Sequence, residues 1–431
     1  MKHGGKAMTQ ILMTTWHGGG TTPPLMSVAR ALVGRGHEVC VLADIVLRES
    51  VEATGAEHRP WTRAPQRTRI DRTEDHIRDW EPDDPMQEFA RMRDRIAAGP
   101  AAEYAADVRA EIDRRRPDVL LTESFLLGSL VAADAAGVPS VVLTPTINVV
   151  PAEGVPPFGP GFMPATNEQE RQRDRAVAAQ MTAAWDEALP AMNRARQEQG
   201  LPPLTHVLEQ SMTASRVLVM TSEAFDFKGP RPPSVRYVGP RLDDLDWAKP
   251  WTGHDGPEPL VLVSMSSEFQ DHVDVLQNAI DGLGALRVKG LVTTGRGVSP
   301  DELSGHPNVE IVDSAPHRAV LPRAAAVVTH GGHGTVLKAL AAGVPVVALP
   351  LGRDQHDIAA RLVHSGAGLR LPAEASPEAI AQAVRTVLSD QSYRQAAARL
   401  ARAIAEEVAE DRAVSEIVAV AQERASLQAP A

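Results

Sequence analysis

AAVVTHGGHGTVLKALAAGVPVVALP, residues 325–350, reads as an apolar strand, a glycine-rich turn, a helix beginning at about Thr335 and a second apolar strand at residues 344–349. Short apolar runs flanking a helical interval form a βαβ unit, and such units build parallel sheets. In the turn, glycines let backbone amides approach a ligand closely, and the helix start offers unpaired N–H groups with partial positive charge. Taken alone, the turn is either an anion cradle, with His330 and the Thr335 hydroxyl as added donors, or an ordinary strand-to-helix connection. The next polar cluster, PLGRDQHD at residues 350–357, follows the second strand's carboxyl end, where open α/β sheets hold ligands. Asp354 and Gln355 put a carboxylate beside an amide, a pairing that suits adjacent hydroxyls; Asp354 is equally suited to capping a helix.

The same pattern occurs earlier. PDVLLTES, a helix-like stretch and AAGVPSVVLTP fill residues 117–145, and their Gly-Val-Pro triplet begins at Gly137 where the later one begins at Gly343. Two βαβ units converging on one local pattern, or an internal duplication, both give two α/β halves. The first half opens on an apolar run at residues 11–14, a glycine-rich loop at residues 16–22 and Pro23-Pro24. Leu25, Val28, Ala29, Leu32 and Val33 then recur at helical spacing, and residues 38–43 read as the next strand. Residues 151–164 read as a flexible loop, residues 167–199 as surface helices, and the Pro-, Gly- and Asp-dense residues 230–259 as a linker.

With 431 residues the chain exceeds the size of one growing core, so two domains are expected. A net charge of −11 without a long basic run argues against nucleic-acid binding or a basic membrane-facing patch. Cys40 is the single cysteine and lies in an apolar run, so it reads as a core residue, with no disulfide framework or cysteine-rich metal site. No apolar stretch of roughly 18 residues and no signal-like start is seen, and a cytoplasmic location is expected.

The run HGGHGTVLKALAAGVPVVALPLGRDQHDIAARLVHSGAGLRL, residues 330–371, resembles the donor-sugar signature of the family-one glycosyltransferases with the GT-B fold. The HGG, GT, GVP, DQ and GAG elements stand at matching spacing. SAPHRAVLP at residues 314–322, YVGP at residues 237–240 and NRARQEQGLPP at residues 193–203 are also similar to elements of that family. The resemblance implies an α/β protein of two Rossmann-like domains facing each other across a cleft. An acceptor-binding domain would span residues 1–229, a linker 230–259 and a nucleotide-sugar domain 260–400, with helices at 401–431 packing back on the first domain. It implies that His330, Gly332, Gly334 and Thr335 hold the diphosphate, that Asp354 and Gln355 bind the sugar, that Pro316 and His317 lie beside the base, and that Ser267 lies near the phosphates; His333 is a further donor-site candidate, with a plain helix-start residue as the alternative. The expected reaction is inverting, metal-independent transfer from UDP- or dTDP-sugar to a small apolar or aromatic natural-product acceptor. The nucleotide sugar is a co-substrate, no further cofactor is expected, and a homodimer is left open.

The first loop departs from that family. The base position, three residues before a proline, falls on Thr21, which cannot take a proton at neutral pH. His17 is the imidazole in the same loop and is the expected base. Glu123 stands where the family has the partner carboxylate. Trp61, Trp80, Phe89, Phe125 and Phe158 are the candidate acceptor-binding aromatics, with the core as the competing place for each. A catalytically silent donor-binding or helper protein is the alternative that the altered loop leaves open.

Overall fold

The computed structural model describes residues 8–81, 84–244, 247–254 and 256–428, with side chains described as far as residue 423. Its strands form two wholly parallel sheets. The first contains β1 (Gln10–Thr14), β2 (Glu38–Ala43), β3 (Glu57–Pro60), β4 (Val119–Glu123), β5 (Ser140–Thr144), β6 (Arg216–Val219) and β7 (Val235–Tyr237), in the order β3-β2-β1-β4-β5-β6-β7. The second contains β8 (Leu260–Ser264), β9 (Lys289–Thr293), β10 (Val309–Val312), β11 (Ala324–Thr329), β12 (Val346–Ala348) and β13 (Gly368–Arg370), in the order β10-β9-β8-β11-β12-β13. Strand order reverses between β1 and β4 in one sheet and between β8 and β11 in the other. Ligand crevices of open α/β sheets lie at such switch points.

Continuous burial of β4, β5 and β8 follows from helices covering both faces of each sheet. Two apolar clusters sandwich the first sheet and two the second. The two similar sequence units occupy equivalent places: β4 and β5 lie just past the first switch point, β11 and β12 just past the second. Gly137 and Gly343 each follow a helix with positive φ, 60° and 70°, the left-handed turn that lets the chain re-enter the sheet.

Four expectations are corrected by the backbone. The helix after β11 is His333–Ala341, so it starts two residues before Thr335 and exposes the amides of His333, Gly334 and Thr335 in its first turn. β7 lies inside the segment read as linker and extends the first sheet. Helix Gln391–Glu410 runs through the boundary set at residue 400 and packs on the second half, against His333–Ala341. The chain turns at Asp411, with φ +43°, its carboxylate held by Arg35 and Arg241, and helix Arg412–Gln428 then covers the first sheet. Lastly, the 151–164 loop lies against the second half: Gly159 N–H donates to the Asp357 carboxylate (2.8 Å), and Gly161 sits where a Cβ would meet the His356 carbonyl oxygen at 2.4 Å. Among the described residues no helix is long and apolar enough to cross a membrane.

Candidate active site

The carboxyl ends of both sheets face one another across a solvent-open cleft of about 1290 Å³. The loop after β11 is its floor. Gly331 adopts φ +89°, and the His330 ring lies over Gly332 so closely that a Cβ there would sit 2.6 Å from Nε2. Glycine at these two places therefore has separate causes, backbone conformation at Gly331 and room for the imidazole at Gly332. Burial pushes the His330 imidazole down to about 3, and the neighbouring His272 and Arg353 act in the same direction, so the ring is neutral at physiological pH. The Thr329 hydroxyl meets its Nδ1 at 3.3 Å, leaving Nε2 over Gly332.

Ser267, His317, His330, Gly332, His333, Gly334, Thr335, Asp354 and Gln355 all line this cleft. Pro316 does not; it caps the short helix His317–Val320. His317 is also held neutral, down to about 3, by burial and then by Lys338. Some of the expected ligand groups are already engaged. His333 Nε2 meets the Thr221 hydroxyl at 2.9 Å, which ties the floor to the first half. The Thr146 hydroxyl donates to Asp354 Oδ2 at 2.6 Å, another tie across the cleft. Gln355 is 2% exposed; its carbonyl accepts from the Leu351 and Gly352 amides (2.7 and 3.2 Å), and its amide donates to Gln270 (3.1 Å). That leaves one amide hydrogen for a ligand, so Gln355 first of all shapes the loop that carries Asp354.

On the acceptor side the expected His17–Glu123 pair does not form. Arg67 Nη1 lies 2.9 Å from His17 Nδ1, and a guanidinium can only donate, so Nδ1 accepts and Nε2 carries the ring proton. The N–H side faces Glu268, whose Oε1 is 4.0 Å away. Burial lowers the His17 pKa further. His17 thus offers no free nitrogen lone pair to the cleft, a correction to its reading as base. Glu123 is buried behind Trp16: the indole N–H donates to it at 3.1 Å, the Phe125 amide at 3.0 Å and the Ser124 hydroxyl at 2.8 Å. Burial pushes its carboxyl up to about 7. Thr21 does line the cleft.

The five acceptor-site aromatics all lie outside the cleft lining. Trp61 is 1% exposed, packed edge-on against Tyr104 and bonded through its indole N–H to the Thr15 carbonyl (3.2 Å). Phe89 packs on Trp185, Trp80 on Phe269, Phe125 on the first core and Phe158 on the second half's core. Apolar bulk decided these positions. Missed by sequence reasoning were Trp247, Glu268, Arg241, Lys338 and Arg353, all lining the cleft. Lys338 was within reach of a helical reading, since it lies three residues after Thr335 on the same face. Trp247 comes from the segment between β7 and β8, which is tied to the second half where the Ser314 hydroxyl accepts from the Lys249 amide at 3.0 Å; Trp247 and Ser314 both line the cleft. Arg296 lies over the Trp247 ring at 4.5 Å.

Residues 278–423 match the family model for the erythromycin biosynthesis protein CIII-like C-terminal domain. The chain is 33% identical over 402 residues to the 4'-demethylrebeccamycin synthase of Lentzea aerocolonigenes, covering 91% of this chain and 94% of that protein. It belongs to the natural-product glycosyltransferases. Oleandomycin glycosyltransferase of Streptomyces antibioticus is 27% identical to this glycosyltransferase over 428 residues, 95% of this chain and 90% of its own. Among solved structures, the glycosyltransferase of kitacinnamycin aligns with a TM-score of 0.76 at 24% identity, covering 96% of this chain and 99% of its own. VinC, solved in complex with dTDP, aligns with a TM-score of 0.66 at 18% identity over 96% of this chain and 99% of its own. The two-sheet architecture of this glycosyltransferase is therefore the GT-B fold.

Proposed function

We propose that this glycosyltransferase moves a sugar from a nucleoside diphosphate, dTDP or UDP, to a small apolar or aromatic natural-product acceptor by one inverting displacement without a metal ion. The carrying observation is the floor of the cleft. The first-turn amides of helix His333–Ala341, the neutral His330 ring and the Thr335 hydroxyl converge at the switch point between β8 and β11, a combination that suits a diphosphate. Arg241, paired with Asp411, and Lys338, whose pKa burial lowers, line the same cleft as further groups that can meet the leaving diphosphate. The dTDP complex of VinC supports a nucleoside diphosphate as the carrier. Asp354 is the residue best placed for the sugar, provided that Thr146 exchanges its hydrogen bond for a sugar hydroxyl.

The test is incubation with dTDP- and UDP-sugars and a panel of phenolic, indolic and polyketide acceptors, read by mass and by the anomeric coupling of the product. A glycoside of inverted configuration formed in excess chelator is expected. Retained configuration or a strict metal requirement would sink the mechanism, and nucleotide binding without transfer to any acceptor would favour the silent donor-binding reading.

A further inference from the structure

Transfer onto a hydroxyl or ring N–H requires a proton acceptor, and neither Thr21 nor His17 supplies one. Among the carboxylates nearby, Glu123 is sealed behind Trp16, Asp354 is held by Thr146, and Asp243, Asp244 and Asp313 pair with Arg30, Arg318 and Lys249. Glu268 is paired as well, with Arg67, but its place differs. It belongs to the turn after β8 in the second half, yet it lies on the glycine-rich loop of the first: a Cβ on Gly19 would sit 2.8 Å from Glu268 Cγ. Gly19 also has φ +65°, so conformation and space both select glycine there. Arg67 fixes the carboxylate's orientation, with Nη1 3.4 Å from Oε2, and Arg67 is itself only 2% exposed.

Glu268 stands on a boundary. On one side is the donor cleft; on the other is a second, solvent-open recess whose wall combines Met26, Val46, Leu47, Ile70 and Trp247 with Arg30, Asp243, Asp244 and Arg296. These apolar side chains give apolar area beside the site that the five aromatics do not provide, within a wall that is charged elsewhere. We propose that Glu268 is the general base of the transfer, and that the acceptor is an apolar ring system seated in this recess with its O–H or N–H turned toward that carboxylate. The inference rests on the transferase reading above. In the step, Glu268 takes the acceptor's proton while the acceptor's freed electron pair forms the bond to the anomeric carbon. The bond from that carbon to the diphosphate oxygen breaks, and its electron pair leaves on the nucleoside diphosphate. Solvent later receives the proton from Glu268. Arg67 and His17 are then positioning residues.

The experiment uses the full-length protein with an acceptor on which the wild type is active. Glu268→Gln keeps the side chain's size and can still accept from Arg67, so a merely bracing role would survive it. The expected result is a fall in kcat of about 10² to 10⁴, with the acid limb of the pH–rate profile lost and the Kd for dTDP or UDP changed by less than about threefold. Ile70→Glu, at a site 44% exposed and so tolerant of charge, is expected to raise the acceptor KM about tenfold or more while leaving nucleotide affinity unchanged. Turnover by Glu268→Gln within about threefold of wild type, or an unchanged acid limb, overturns the base. An unchanged acceptor KM in Ile70→Glu overturns the recess. Wild-type protein that transfers to nothing overturns the transferase reading itself, an outcome distinct from either.

Discussion

Single residues here are governed by which hydrogen-bonding atoms are already committed. His17 has its Nδ1 occupied by Arg67, so His17→Ala is expected to keep turnover within about tenfold of wild type, short of the 10² to 10⁴ that a general base contributes. Steady-state rates check this, and a hundredfold loss would return the base role to His17. His330 lies at the opposite pole, neutral and directed at the cradle. His330→Ala should weaken dTDP binding by about tenfold or more in calorimetry, the equivalent of one hydrogen bond to a charged group, with the circular dichroism spectrum unchanged. Glu123 carries a pH signature. Its folded pKa, about 7, lies above its unfolded value, so the native state binds the extra proton between about pH 4.5 and 7. Stability from this group is present below that window and is lost as pH rises through it, by up to about 3 kcal/mol. Denaturant titrations should show that slope in the wild type and a shallower one in Glu123→Gln.

At the scale of elements, what could be read from sequence was what one segment encodes by itself. HGGHGT, the DQ pair after β12 and the two Gly-Val-Pro turns are local: backbone conformation, a helix start and a strand end leave marks within a few residues. The helix start was misplaced by two residues because Gly332 caps it through its backbone, without a side-chain cap to mark the place. Gly331→Ala is expected to cost about 1–2 kcal/mol of folding stability, because an L-residue must adopt φ +89°. Gly332→Ala acts differently. Its methyl group displaces the His330 ring, so nucleotide affinity should fall while the unfolding midpoint shifts little. Equal effects of the two substitutions on both measurements would contradict this division of labour.

For the whole molecule, the illegible part is what distant segments build together. Glu268 meets Arg67 across 201 positions, and Asp354 meets Thr146 across 208, with no periodicity to announce either contact. The aromatic residues misled because a large apolar side chain has the same signature in a core as in an acceptor site. The halves are joined by an ion pair hidden from solvent, Arg361 with Asp226 at 2.6 Å, and the Tyr237 hydroxyl donates to the same carboxylate. Asp226→Asn removes the direct ion-pair partner of a buried guanidinium, and a loss of about 3 kcal/mol is expected, with Asp357 and the Phe227 ring left beside it. Chemical denaturation measures it; a change under about 1 kcal/mol would mean that the pair is dispensable.

The return of the chain at Asp411 has a mechanical consequence. The polypeptide passes from one half to the other between β7 and β8, and passes back where helix Gln391–Glu410 gives way to helix Arg412–Gln428. A body tethered at one point can swivel in every direction, whereas two tethers define a line. Rotation about that line is the relative motion that the tethers themselves leave, in the manner of a door on two pins. Arg361–Asp226, Arg353–Asp79, Thr146–Asp354 and Thr221–His333 bridge the halves and hold against it.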